Sequence, residues 1–590
     1  MKTWWEQPED LVHDVLWPLC KLIEDESSQS LRFDRSLRNY GGSKETGGQS
    51  RSIERAISIA FQTNTVKLNI IESIVDTIHS KITKNSPKPM YLTLDGDVIL
   101  QKRAKRRGEV ITSLFLEKGA YESGSMACFD AILFGTGFVQ VGKDGPDLFI
   151  ERVFPSEILV DPIESMYAPP RSLFRKKKIM KEVLLNHFPE KESNIESSWN
   201  SNSYAPNITS NLVDVVEAWH IPSGKDAEDG RHSICVEGST LLDEQWDYEW
   251  FPFCQISWKK PVIGFWSRGV SDQIEGIQKE ITDILGRIQE ILKNMATPRI
   301  FIEHGSNIVV GHVTNQIGGI IKYTGSPPIF HPGVACPPEV FNQLDRLYQR
   351  AYEIVGVSQM SAQSKKPAGV DSGIALRTLD DKETERFVSF GKEYENFYLD
   401  MAKRVSAFCN EIAEEYGDFP IKTHKNEGIE SIKWSEIDME EDQYKVSVFP
   451  TSLLPTTPAG RLQTVTELIN MGYIPREIGL KLIDYPDIQE YTRLETAQID
   501  DIDLTLNEIL EGKDPVPESF QNLNLGVSRM LSYYLKLRHT NLPEDRKNAI
   551  RDWIEIAQAE LIKQQTPQPV EQPIPPQPTD QTLLEQTLAQ

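Results

Sequence analysis

"LYQRAYEIVGVSQMSAQSKKPAGVDSGIALRTL", residues 347–379, sets out the architecture in one stretch. An apolar helical pattern ends near Gly356, and a polar segment with Lys365, Lys366, Pro367 and Gly369 follows. Helical spacing then resumes and runs to Gly417. In that run Phe387, Phe390, Tyr394, Phe397, Met401, Val405, Phe408 and Ile412 step by threes and fours, which is one face of a helix. A helix over 373–416 extends about 60 Å if straight. That exceeds what a compact domain needs and suggests an extended or ring-like assembly; a long core helix with a kink accounts for the same pattern. Taken alone, the polar loop fits a phosphate cradle, a catalytic lysine site or a mobile loop touching something large.

Working outward, two more helices precede the loop. In 267–296, Val270, Ile274, Ile277, Ile281, Ile284, Ile288, Ile291 and Met295 recur at helical spacing, giving an amphipathic helix of roughly 40 Å. A second helix starts at Pro337 and Pro338, where a missing N–H costs nothing. Between these helices, "TPRIFIE", "NIVVGHV" and "GGIIKYTG" read as short strands. From Thr297 to Cys336 only Arg299, Glu303 and Lys322 carry charge. Such an island suits a docking surface, with Arg299, Lys322 and Tyr323 as its candidate residues; a small buried β element explains it equally.

The first 263 residues are mixed. Residues 8–23, 64–84 and 97–134 read as helices, and "GFVQVGKDGPDLFIERV" alternates as a hairpin turning at Lys143-Asp144-Gly145. Residues 213–222 and 231–237 are further strands. Beyond the long helix, 430–450 read as strands and 456–563 as helices. From 564, "QQTPQPVEQPIPPQPTDQ" is Gln/Pro-rich and expected to be a disordered tail. The fold class is therefore α+β, mainly helical.

Charge limits the function. The 590-residue chain carries a net charge of -24, so most of its surface should repel nucleic acid. From Glu436 to Glu518, 18 acidic residues face six basic ones, concentrating half of that charge in a seventh of the chain. "KRAKRR" (102–107) and "RKKK" (175–178) are exceptions that fit nucleic-acid contact, solvated faces or subunit contacts. No apolar run of about 18 residues exists to span a membrane, and "MKTWWEQPED" is charged where a signal peptide is apolar. The six scattered cysteines fit reduced, buried thiols.

Gly137-Phe-Val-Gln-Val-Gly142-Lys143-Asp144 nearly matches a phosphate-binding loop. Asp144, however, replaces the hydroxyl residue that holds Mg²⁺, and the alternation between the glycines is that of a strand. "GTG" at 135–137 lacks the third glycine of a dinucleotide fingerprint. No metal-binding, cofactor-binding or catalytic motif emerges, and no enzymatic activity is expected.

The order of elements, and the stretches "DAILFGTGFVQV", "ERVFPSEILVDPIESMYAPPRSLF", "WKKPVIGFWSRGVSDQIEGIQKEI", "LYQRAYEIVGVSQMSAQSKKPAGVDSGIALRTL" and "LLPTTPAGRLQTVTELINMG", resemble the portal (head-to-tail connector) proteins of tailed bacteriophages, particularly the podovirus type. The resemblance covers about residues 50–480. It implies a wing (1–263, with the long helix and strands of 373–455), a stem (264–296 and 337–356), a clip (297–336), a tunnel loop (357–372) and an acidic crown (456–563), followed by the tail (564–590). It further implies a dodecameric ring at one capsid vertex of the virion, assembled in the host cytoplasm. Double-stranded DNA would pass through it during packaging and ejection. Expected partners are other copies of the chain, the large terminase subunit, head-tail adaptor or tail proteins, and the major capsid and scaffolding proteins, with no membrane. Gln363, Ser364, Lys365 and Lys366 would then line the channel. Pro367 and Gly369 would shape the loop, and Asp371 or Ser372 would cap the helix. Lys365 and Lys366 fit weak phosphate contacts and equally fit pairing with acids of a neighbouring subunit. Two other readings stay open: a monomeric virion scaffold or adaptor, and an enzyme acting on nucleotides.

Overall fold

The computed structural model describes residues 3–26, 29–41, 68–84, 86–93, 98–202, 211–224, 227–296, 299–301, 304–305, 324, 329–331, 335–357, 373–425, 428–437, 439, 444–448, 458–473, 486–538 and 542–565. The chain begins with helices α1 (Val12–Glu26), α2 (Gln29–Gly41) and α3 (Ile70–Ile82), then strand β1 (Pro89–Thr93). Helices α4 (Val98–Glu117) and α5 (Ala120–Phe134) lead into β2 (Thr136–Asp144), β3 (Asp147–Val153), β4 (Ile158–Leu159) and β5 (Ser172–Met180). After α6 (Lys181–His187) and α7 (Glu192–Asn202) come β6 (Leu212–His220), β7 (Arg231–Val236), β8 (Ser239–Gln245) and β9 (Phe253–Ser257). Next are α8 (Val270–Ala296), β10 (Arg299–Phe301), β11 (Ile329–His331), α9 (Pro338–Val355) and α10 (Gly373–Tyr416). The chain continues through β12 (Pro420–Lys425), β13 (Gly428–Lys433), β14 (Tyr444–Val448), α11 (Pro458–Asn470), α12 (Pro486–Glu511), α13 (Leu523–Leu537) and α14 (Glu544–Gln565). The fold is α+β and mainly helical.

Two compact units divide these elements. In the first (1–90, 108–436 and 446–449), a three-stranded antiparallel sheet runs β3-β2-β9. Helix α5 packs on it closely enough that a Cβ at Gly137 would lie 1.9 Å from the carbonyl oxygen of Ala127. A five-stranded antiparallel sheet runs β4-β5-β6-β7-β8. Both of its faces are covered, as the period of two in β6 requires. Val213 and Val215 join the cluster built with Leu184 and Ile195 of α6 and α7. Val216 and Ala218 point the other way, into the cluster of Trp4, Leu16 and Cys20.

The long-helix reading holds. All eight apolar residues of the stripe in α10 are buried, and Gly417 ends the helix at φ +85°, a backbone conformation natural to glycine. In α8 the predicted stripe is buried at Val270, Ile274, Ile281, Ile284 and Ile288, whereas Leu292 and Met295 near its end are exposed. Helix α9 has Pro338 in its first turn and packs against α8. Strands β10 and β11 pair antiparallel, Arg299 opposite His331 and Phe301 opposite Ile329. The result is a helical hairpin joined by a β-ribbon. The strand expectation for 430–450 missed β12, which pairs with β13 from Pro420 opposite Lys433; the β-branched residues there are few, so the period is hard to see. The second unit (91–107, 437–445 and 450–590) is built around α12, α13 and α14, which bury Ile502, Ile509, Met530, Ile550 and Trp553.

The chain start is tied to the five-stranded sheet by aromatic contacts. Trp5 stacks on His220 with ring centroids 3.8 Å apart, and Ser172 Oγ lies 2.9 Å from His220 Nδ1. Burial holds the His220 imidazole down at about 4, against about 6.5 in an unfolded chain. A depressed pKa means the folded state favours the neutral ring. Its stabilising contribution is therefore complete above pH about 6.5 and lost as pH falls through about 4. Tryptophan fluorescence should report release of the Trp4–Trp5 segment across that window, and a His220→Gln variant should flatten the transition.

Candidate functional site

The near match to a phosphate loop resolves into a sheet. Strand β2 pairs with β3 from Phe138 opposite Val153 to Asp144 opposite Asp147, and with β9 from Thr136 to Gln140. Its amides serve two ladders, so they cannot curl inward around a phosphate. The turn falls one residue later than Lys143-Asp144-Gly145 suggested. Gly145, at φ +58°, and Pro146 occupy its centre, the arrangement of a two-residue turn with glycine first. Lys143 Nζ lies 2.5 Å from Glu411 Oε1 and 2.6 Å from Glu415 Oε1 on α10. Burial lowers its pKa, but the two carboxylates outweigh that and hold it above the ordinary lysine value. This lysine braces the hairpin against α10.

The basic runs are likewise engaged within the chain. Arg175 contacts Glu151 at 2.6 Å and Glu157 at 2.9 Å. Lys176 pairs with Glu24 at 2.6 Å, Lys177 with Glu217 at 2.7 Å, and Lys178 faces Asp214 at 3.8 Å. In the second unit Lys102 and Arg106 share Glu511, at 2.6 and 3.2 Å. Arg107 is fully buried, its guanidinium 4.8 Å from the Tyr444 ring centroid and 5.6 Å from that of Tyr91, a cation–π arrangement. Arg103 and Lys105 remain exposed.

Three of the five stretches that carry the resemblance meet in one place. Asp130, buried on α5, receives both arms of Arg152 from β3 at 2.6 and 2.7 Å. Burial pushes its carboxyl up to about 6 even with that partner. Just beyond, the turn Phe134–Gly135 lies against Ser267–Gly269, which leads into α8. A Cβ at Gly135 would lie 2.2 Å from Ser267 O, and one at Gly269 2.1 Å from Leu133 O. Arg32 of α2 closes this junction. Its Nε donates to Asp272 Oδ2 at 2.9 Å, and its Nη2 donates to the carbonyls of Phe134, at 3.0 Å, and of Ser267. Asp272 also accepts from the Gly269 amide at 3.2 Å.

Arg32 lies in the first 50 residues, outside the resemblance. A signal was present nonetheless. Arg32, Arg35 and Arg38 recur every third residue, and two of them meet Asp272 and Glu275, themselves three apart, with Arg35 3.7 Å from Glu275. The expected channel residues Gln363, Ser364, Lys365 and Lys366, with Pro367, Gly369, Asp371 and Ser372, lie outside the described residues. So do Lys322 and Tyr323 and the tail from 566. Arg299 stands in β10 opposite His331. Among the described residues no cluster of three or more His, Cys, Asp or Glu could hold a metal ion, and no helix is long and apolar enough to cross a membrane.

No protein-family model and no curated protein matches this chain. One solved structure similar to it is described as "Neck of empty GTA particle computed with C6 symmetry", with a TM-score of 0.34 and 11% identity over 71% of this chain and 90% of that one. A likeness of that degree carries neither a fold nor a function to this chain.

Arg32→Ala should destabilise the first unit by about 2–3 kcal/mol, because it removes charged hydrogen bonds and leaves buried carbonyls unsatisfied. Urea unfolding measures that loss. Hydrogen exchange should show faster opening at the first turn of α8, with α12–α14 unchanged.

Proposed function

We propose that this chain is a phage portal protein, a ring-forming connector through which double-stranded DNA enters and leaves a capsid. The observation that carries the reading is the helical hairpin of α8 and α9, joined through the β10–β11 ribbon. It stands between a mixed α/β region and a 44-residue helix, in the order that the sequence resemblance requires. On this reading 264–296 and 337–356 are the stem, the nearly uncharged segment 297–336 is the clip, and 1–263 with 373–455 form the wing. The acidic region 456–563 is the crown, and 357–372 is a tunnel loop. Twelve copies surround the channel. The clip docks the large terminase subunit during packaging and the head-tail adaptor afterwards, and capsid and scaffolding proteins surround the ring at one vertex.

Physical arguments support the assignment. A net charge of -24 favours a channel that holds phosphate only weakly, so DNA slides with little braking. The pairing of Lys143 with Glu411 and Glu415 gives that lysine a bracing role, which supports a connector over a nucleotide-acting enzyme. A motor supplied by a separate terminase fits that geometry.

Electron microscopy of the purified full chain tests the reading: ring particles with a central hole are expected, and small monomers alone would reject it. Robust ATP turnover abolished by Lys143→Ala would equally reject it. Replacing Lys365 and Lys366 together with alanine should leave rings intact while altering DNA packaging or genome retention. Loss of rings would instead assign those lysines to a subunit contact.

A further inference from the structure

Two loops of the first unit carry large apolar side chains that its core does not use. After β4, the Asp161 carboxylate accepts from the amides of Ile163 at 2.8 Å and Glu164 at 3.3 Å. The turn it fixes leaves Ile163 81%, Tyr167 84% and Met166 42% exposed. After β9, the second loop leaves Val262 98% and Ile263 60% exposed. The following residues anchor that loop: Phe265 stacks on Phe138 and Trp266 meets Phe33 edge-on. The Gly264 amide donates to Met166 O at 3.1 Å and joins the two loops. Five exposed aliphatic and aromatic side chains on one ordered pair of loops form a patch of the kind that marks an interaction surface. Lys259, Lys260, Arg171 and Arg268 are exposed on or beside these loops, with Lys260 also reaching Glu393 at 2.8 Å. One acid, exposed Glu164, accepts from the Arg171 amide at 2.7 Å, so the rim is basic in balance.

We infer that this patch is a contact with a second copy of the same chain. The inference rests on the ring reading above and names one of its interfaces. Copies in a closed ring meet through two unlike surfaces, so an apolar projection with a basic rim needs an acidic, partly apolar acceptor. The chain carries such a surface. Leu11, just before α1, and Leu22 on its outer face are exposed at helical spacing with Asp14 and Asp25, beside Asp10, Glu26 and a single base, Lys21. Opposite charge on the two surfaces favours docking of unlike faces and disfavours pairing of like ones.

The test uses the full chain purified alone, by light scattering and electron microscopy. Val262→Asp combined with Tyr167→Asp should reduce the ring fraction at least tenfold while the far-ultraviolet circular dichroism stays that of the wild type, since both side chains are exposed in the single chain. Val262→Ile with Tyr167→Phe should keep the rings. A photocrosslinking amino acid at position 262, in an otherwise unchanged chain, should give a covalent dimer, which makes the test independent of the folding of the aspartate variant. Normal rings from the aspartate variant, or rings without crosslinked dimer, would overturn this contact and leave the ring reading standing. A wild-type chain that stays monomeric overturns both.

Discussion

The meeting of the Phe134–Gly135 turn with Ser267–Gly269 is the contact on which the first unit depends. Here the end of α5, the start of β2 and the approach to α8 come together at backbone-to-backbone distance. At both Gly135 and Gly269 a methyl group would overlap a carbonyl oxygen, so the geometry admits no larger residue without moving one of three elements. Gly135 also sits at φ +104°, which side chains rarely adopt. The Arg32 guanidinium then satisfies two of the carbonyls and one carboxylate at once. A helix from the beginning of the chain thereby fixes the direction in which α8 leaves the sheet.

Much of this was legible in the sequence because the helices are long and their apolar periods are unbroken. The stripe from Phe387 to Ile412 needed no tertiary information, and the termini of α9 and α10 followed from Pro338 and Gly417. Strand β2 was legible despite its resemblance to a phosphate loop, because Phe138, Val139 and Val141 keep a strand's alternation. What stayed hidden depends on contacts distant in sequence. The partners of Arg175 to Lys178 come from β3, α1 and β6 and from the turn before β4, and no local pattern shows that four consecutive basic residues face carboxylates. The Arg32 junction spans 240 residues between its members. Its two halves show as spacings of three, yet nothing in either half names the other.

That pattern changes how the charge of the chain is understood. The 175–178 run, which invited a nucleic-acid reading, faces carboxylates of the same unit, whereas in 102–107 Lys102 and Arg106 share one glutamate and Arg103 and Lys105 stay exposed. In the Asp130–Arg152 pair the carboxylate is wholly buried, so removing its partner would strand a charge in the core. The acid that remains uncompensated lies mainly in the second half of the chain, where 436–518 has a net of -12 from 18 acidic and six basic residues.

The cysteines carry a practical consequence. Cys20, Cys128, Cys235, Cys254 and Cys409 are buried, while Cys336 is partly accessible just before α9. Burial pushes the thiols of Cys20, Cys128, Cys235 and Cys254 up, which keeps them protonated and slow to react. The native protein thus carries a natural labelling position at the ribbon end of its helical hairpin. A fluorophore attached there would report on that end of the hairpin with no residue replaced.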